Sequence, residues 1–168
     1  MDVRKSTFII TVVILAIALS AVYYISTSPD KNQLIEDEHR VKCAENLRQI
    51  GQAIKLYRDD FQAMPTDLQT LFNSKKVQNF EAFVCPSYDH SRCNHDGFYT
   101  DYYYWGTKFR DTADPKSFIL AYDKPANHVT YVNVLFADGR VENYSTEEFR
   151  HLIKIQEQEL NTNELQNK

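Results

Sequence analysis

The chain has 168 residues, 43% of them hydrophobic, and sets 19 Lys and Arg against 23 Asp and Glu for a formal net charge of −4. Both signs are interspersed and no basic stripe appears, so nucleic-acid binding has no electrostatic footing, and the length suits one folded domain. Aromatic residues reach 13% and eleven of them are Tyr, a composition that favours packed strands over a disordered stalk.

The first thirty residues bear on the compartment. Phe8 to Ile25 carries no charge, and its roughly 18 residues rise about 27 Å as a helix, close to a bilayer core of about 30 Å. Arg4 and Lys5 precede this run, whereas Asp30, Lys31, Glu36 and Asp37 after it are mixed in sign. The positive-inside bias therefore places the N-terminus in the cytoplasm and the rest outside it. Ser26-Thr27-Ser28-Pro29 is a poor small-x-small cleavage site, so the expectation is an uncleaved single-pass anchor in the inner (cytoplasmic) membrane. The expected division is residues 1–6 cytoplasmic, 7–27 transmembrane, 28–160 an extracytoplasmic domain and 161–168 a polar tail that frays. Ala16, Ala18, Ser20 and Ala21 are small enough to let helices approach closely in lipid.

Leu34 to Phe61 predicts a helix whose apolar stripe is Cys43, Leu47, Ile50, Ile54, Tyr57 and Phe61, in steps of three and four that keep one face inward. The opposite face is charged, and Met64-Pro65 stops the helix because a residue before Pro avoids the helical region. A short second helix follows, with Thr66 as its N-cap. Short strands are predicted next: Phe83-Val84-Cys85, Tyr99 to Trp105, Phe118 to Tyr122, and a hairpin over about 131–144 turning at Asp138-Gly139. A two-residue type I′ turn fits Asp-Gly, since both central positions need positive φ. Ser145 and Glu148 form a capping box that opens a helix burying Phe149, Leu152 and Ile153. The fold class is α+β, with the long helix covering one face of a small antiparallel sheet whose other face can meet water.

Three constellations could carry chemistry. Cys85, His90, Cys93 and His95, with Asp89 and Asp96 between them, are ligand types of a zinc site, but their spacing matches no common zinc motif. Among them His90, His95 and Asp96 are the candidate metal ligands; the plainer reading is a Cys85–Cys93 disulfide across a short loop, with Cys43–Cys85 as the alternative. Three cysteines leave one over in either case. The loop acids Asp89, Asp96, Asp101, Asp111 and Asp114 lack the alternate-position spacing of a calcium loop. No cofactor is required by these patterns, with calcium or zinc the alternatives. His128 and Asp138 invite reading as a catalytic dyad, yet an extended strand between them would hold them about 30 Å apart. No phosphate-cradling glycine loop or Gly-x-Ser-x-Gly elbow occurs.

The order of parts resembles a type IV pilin or type II secretion pseudopilin, and more specifically the prepilin-type proteins named for a His-x9-Asp-Gly motif. The residues that carry the resemblance are Cys43 to Gly51 (CAENLRQIG), Tyr57, Met64-Pro65, Val84 to Ser87 (VCPS), Ile119 to Pro125 (ILAYDKP), and His128 with Asn133 to Glu142, which includes Asp138-Gly139. The resemblance departs at the processing site. Ser6 stands where the family has Gly before the scissile bond, Thr7 follows it, and Thr11 stands where the family has Glu. That Glu is thought to neutralise a neighbour's N-terminal ammonium in a filament, and Thr has no charge to do so. The resemblance implies a pilin-like fold and a non-catalytic, membrane-anchored assembly protein of a type II secretion or pilus-like system. Its partners would be lipid, pilin-like subunits or secretion components and, through the N-terminal helix, copies of itself. The departure points to a minor or tip subunit, or to a stand-alone anchored relative. The alternatives from other classes are an anchored extracytoplasmic metal-dependent enzyme and a surface binding module presenting the Tyr102 to Trp105 aromatics.

Overall fold

A computed structural model describes residues 3–27, 31–87, 97–110, 113–124, 127–128 and 130–166. They fall into two units, one ending at Ile35 and one beginning at Glu36. The first unit is dominated by helix α1, Val3–Thr27, which is long and apolar enough to cross a membrane. Its large apolar residues from Ile9 to Ile25 are each 49–74% exposed, so no face among the described residues takes up the apolar surface. The polar side chains near its end turn inward on the helix itself. Ser26 Oγ donates to the Val22 carbonyl and Thr27 Oγ1 to that of Tyr23, both at 2.8 Å, which is how hydroxyls are satisfied where water is scarce.

Helix α2, Lys31–Phe61, turns a stripe of Cys43, Leu47, Ile50, Ala53 and Ile54 into the core of the second unit. It ends at Gln62, whose φ of 53° is left-handed and whose amide closes on the Arg58 carbonyl at 2.8 Å. Termination therefore comes at the αL residue, three positions ahead of Pro65. Helix α3, Leu68–Asn73, is capped by Asp67 and not by Thr66, because Asp67 Oδ1 accepts from the Thr70 amide at 2.6 Å. Thr66 instead pairs its hydroxyl with that of Thr70.

Four antiparallel strands form a meander in the order β1 Tyr102–Tyr104, β2 Ile119–Asp123, β3 Tyr131–Phe136 and β4 Val141–Ser145. The expected strand at Phe83-Val84-Cys85 is absent. Residues Phe80–Phe83 form a 3₁₀ turn capped by the Asn79 side chain, and the local cap prevails over the strand propensity of Phe and Val. The β3–β4 turn also differs from expectation. Ala137, Asp138 and Gly139 make a three-residue loop in which the Gly139 amide donates to Phe136 and the Phe136 amide to Arg140. Only Gly139, at φ 89°, takes positive φ there, the arrangement of a turn followed by a left-handed glycine.

Both faces of the sheet are covered. On one lie α2, α3 and the 3₁₀ turn, packing on Phe118, Leu120, Ala121 and Leu135. On the other lies α4, Thr146–Gln166, whose Phe149, Leu152 and Ile153 pack on Ile119, Tyr122, Val132, Val134 and Phe136. The open face expected from the strand pattern is thus filled, and α4 runs on to Gln166, into the segment 161–168 expected to fray. A bulge makes this possible: Ile119 pairs with Phe136 but Ala121 with Leu135, so two residues of β2 oppose one step of β3 and Leu120 and Ala121 both turn towards α2. The buried Gln156 of α4 meets the Ile119 backbone with both ends of its amide, at 2.6 and 3.0 Å. The expected capping box is present, Ser145 and Glu148 bonding each other's backbone amides at 3.3 and 2.9 Å.

The approach of α2 to the sheet is closest at Gly51, where an added Cβ would stand 2.9 Å from Leu135 Cδ1. A β-branched residue there adds bulk that Leu135 and its neighbours must absorb. Gly51→Val is expected to lower unfolding stability by about 2 kcal/mol in urea titrations; an unchanged midpoint would mean that α2 does not lie against Leu135.

Candidate functional site

A buried polar cluster lies where α2 meets the end of β2 and the β2–β3 connection. Glu36, Arg40 and Cys43 follow one another on α2 at steps of four and three, which places them on one helix face. Asp123 ends β2, His128 belongs to the connection that follows, and Cys85 comes just after the 3₁₀ turn. Cys43, Cys85 and Asp123 are 0% exposed and His128 is 4% exposed. The sulfurs of Cys43 and Cys85 are 2.8 Å apart. His128 Nε2 lies 3.6 Å from Cys85 Sγ and 3.7 Å from Asp123 Oδ2. Its other nitrogen, Nδ1, is 2.7 Å from Glu36 Oε1 and 3.4 Å from Ser87 Oγ.

The backbone around these groups is tied down by side chains. Asp101 Oδ2 accepts from the Cys85 amide at 2.8 Å, and the Asp101 carbonyl accepts from the Lys124 amide at 3.0 Å and Asn127 Nδ2 at 2.8 Å. One residue therefore sets both the Cys85 segment and the connection bearing His128. Asn133 gives its backbone amide and its Nδ2 to Asp123 Oδ2, at 2.9 and 2.7 Å. The other oxygen, Asp123 Oδ1, is buried with no hydrogen-bond partner among the described residues. Asn46 reaches the Val84 carbonyl at 3.0 Å and the Tyr102 hydroxyl at 3.2 Å from α2, fastening the helix to the chain just before Cys85.

The charges follow from this geometry. The hydrogen bond from Cys43 holds the Cys85 thiol down at about 5; burial opposes this and His128 adds to it. Cys43 is pushed up by the same hydrogen bond, by burial and by the charge on Cys85. Burial works against protonation of His128, but its bonds to Cys85 and Glu36 and the nearby charges outweigh that and raise it to about 9. Burial raises Asp123 to about 7, with the Asn133 amide and the charge on His128 working the other way. Of the two thiols Cys85 gives up its proton the more readily, beside a His128 that keeps its own.

Sulfur, imidazole and carboxylate in series is also the order of an activated thiol nucleophile. A substrate carbon would have to reach Cys85, which has no exposed surface. The residues present can instead join the two sulfurs or bind a cation between them. His128 and Asp138 are not brought together: His128 belongs to the cluster, whereas Asp138 sits at the far end of β3 with Arg140 as its ion-pair partner. His90, Cys93, His95 and Asp96, and with them the Cys85–Cys93 pairing, lie outside the described residues, as do Asp89 and Asp111. Ser6, Thr7 and Thr11 are on α1. Of the four aromatics from Tyr102 to Trp105, Tyr103 is exposed at 46% and Tyr102 is buried.

Glu36, Asp123, Asn133 and Ser87 entered the cluster without being singled out in the sequence. A signal existed for two of them: Asn133 and Asp123 occupy positions that alternate with Leu135 and Ala121, so the strand period aims polar groups at the helix-covered face. No family model, curated protein or solved structure matches the chain.

The Asp123 carboxyl titrates near 3.8 when unperturbed and at about 7 here, so folding takes up a proton between those values. The stability it supplies is complete below about pH 4 and is lost as pH rises through about 7. In the reduced chain with chelator present, Asp123→Asn is expected to remove that part of the pH slope in urea titrations. Identical slopes in the two proteins would contradict the assignment.

Proposed function

We propose that this chain is a membrane-anchored, pseudopilin-like assembly protein of a type II secretion or type IV pilus-like system, related to the His-x9-Asp-Gly prepilin-type proteins, and that it turns over no substrate. The observation that carries the reading is the succession of an apolar helix exposed on all sides and a second helix whose stripe covers an antiparallel sheet. The burial of Cys85 supports a structural over a catalytic use of the polar cluster. In this reading α1 sits in the inner membrane with Arg4 and Lys5 on the cytoplasmic side, the second unit is extracytoplasmic, and α1 packs against the corresponding helices of pilin-like subunits or of another copy. Ala18 and Ala21, small residues on α1, suit such packing. Ser6 and Thr11 in place of Gly and Glu favour a minor, tip or stand-alone role over that of a major filament subunit.

The test uses the full chain carrying single cysteines at Ala18 or Ala21 in cells that assemble a pilus-like system. Membrane fractionation, protease digestion of spheroplasts and oxidative cross-linking are read together, with the N-terminal mass of the mature chain. The expected result is a membrane-bound chain starting at Met1, a protease-accessible second unit, and cross-links through α1 to pilin-like subunits or to itself. Recovery in the soluble fraction or a protected second unit would overturn the anchored topology. Absence of cross-links at both positions would overturn assembly through α1, and a start at Thr7 would show that the chain is processed like a filament subunit.

A further inference from the structure

The polar cluster contains one feature that packing alone does not explain. A buried carboxylate, a buried imidazole and two buried sulfurs converge, and one carboxylate oxygen, Asp123 Oδ1, has no partner among the described residues. Burying such an oxygen without a hydrogen bond is costly. A disulfide between Cys43 and Cys85 would use two of the four groups and leave the other two as they are. A cation would use both sulfurs and the imidazole and would set a positive charge beside the Asp123 carboxylate.

We propose that Cys43, Cys85 and His128 are ligands of a structural zinc(II) site, with Asp123 the carboxylate beside it. One donor atom each from Cys43, Cys85 and His128 lies within 4.8 Å of the others, and Asp123 Oδ2 stands 3.7 Å from His128 Nε2. Zinc accepts thiolate, imidazole and carboxylate in one tetrahedral shell, with bonds of about 2.3 Å to sulfur and about 2.0–2.1 Å to nitrogen and oxygen. Two thiolates on such a shell are about 3.8 Å apart, so the 2.8 Å between Cys43 and Cys85 must open by about 1 Å. The edge from His128 Nε2 to Cys85 Sγ, at 3.6 Å, needs little change. The surroundings also have the form of a metal site: His128 turns its second nitrogen to Glu36 at 2.7 Å, the carboxylate–histidine arrangement that orients a ligating imidazole. The three ligands would fasten α2, the Cys85 segment and the β2–β3 connection to one another, and Asp123, whose Oδ2 already accepts two hydrogen bonds from Asn133, would sit against the shell at the end of β2. Because it rests on the buried cluster alone, the proposal is independent of the assembly reading.

The test begins with the full chain in mild detergent, prepared with reductant, its zinc measured by elemental analysis and then replaced by cobalt(II). The expected result is one zinc per chain and a cobalt spectrum with thiolate charge-transfer bands and intense tetrahedral bands. Cys85→Ser should abolish the charge-transfer intensity or halve it, and Cys93→Ser should leave it unchanged. Glu36→Gln leaves the three ligands in place and alters only the partner of His128, so it is expected to fold and to weaken zinc binding about 10-fold to 100-fold. Substoichiometric zinc with no thiolate band in the wild-type cobalt spectrum would overturn the proposal, whatever the variants do. So would a Cys43–Cys85 disulfide in chain acid-quenched from cells and alkylated under denaturing conditions. Unchanged zinc affinity in Glu36→Gln would remove His128 from the ligand set.

Discussion

The docking of α2 on the sheet is the constraint on which the rest of the second unit depends. The helix lies so close that a Cβ at Gly51 would stand 2.9 Å from Leu135 Cδ1, and buried polar groups along the contact depend on partners within it. Asn46, Asp101, Asn127 and Asn133 do this by bonding backbone across elements. Those bonds bring the Cys85 segment and the β2–β3 connection to the helix, and the cluster of Glu36, Cys43, Cys85, Asp123 and His128 forms where they meet. The opposite face has its own closure in α4, whose Gln156 holds the bulged part of β2.

The polar cluster and the apolar stripe act together. Burial of Cys43, Leu47, Ile50 and Ile54 supplies a non-directional driving force that would tolerate some sliding of the helix. Directional bonds at one end remove that freedom: Glu36 to His128, Asn133 to the Arg40 carbonyl, and the contact between the two sulfurs. A cation at the cluster would strengthen the same end of the helix, so the assembly reading and the zinc site are compatible without either requiring the other.

Much of the fold was legible because it follows from period and punctuation. The α2 stripe repeats in threes and fours, three of the four strands carry apolar or aromatic runs, and Ser145 with Glu148 marks the first turn of α4. The failures have local causes. Asn79 caps a 3₁₀ turn where Phe83-Val84-Cys85 looked extended, Asp67 prevailed over its neighbour Thr66 as a cap, and Gly139 alone took the left-handed position of the β3–β4 loop. The cluster was legible only in part. Cys43, Cys85 and His128 are conspicuous residue types, but their meeting depends on how α2 crosses the sheet, which no local pattern encodes. Glu36 lies in the charged start of α2 and looks there like any solvated acid, and Asp123 looks like the first residue of a polar turn.

Hydrogen–deuterium exchange across the second unit tests the docking of α2 most directly, because amides that open in one event share a protection free energy. If α2 is pinned to the sheet as described, the amides of Cys43 to Ile54 should exchange together with those of Ile119 to Asp123 and Val132 to Phe136, at the level of global unfolding. Exchange of Cys43 to Ile54 well ahead of the strands would contradict the account, since the helix would then leave the sheet while the sheet stayed folded.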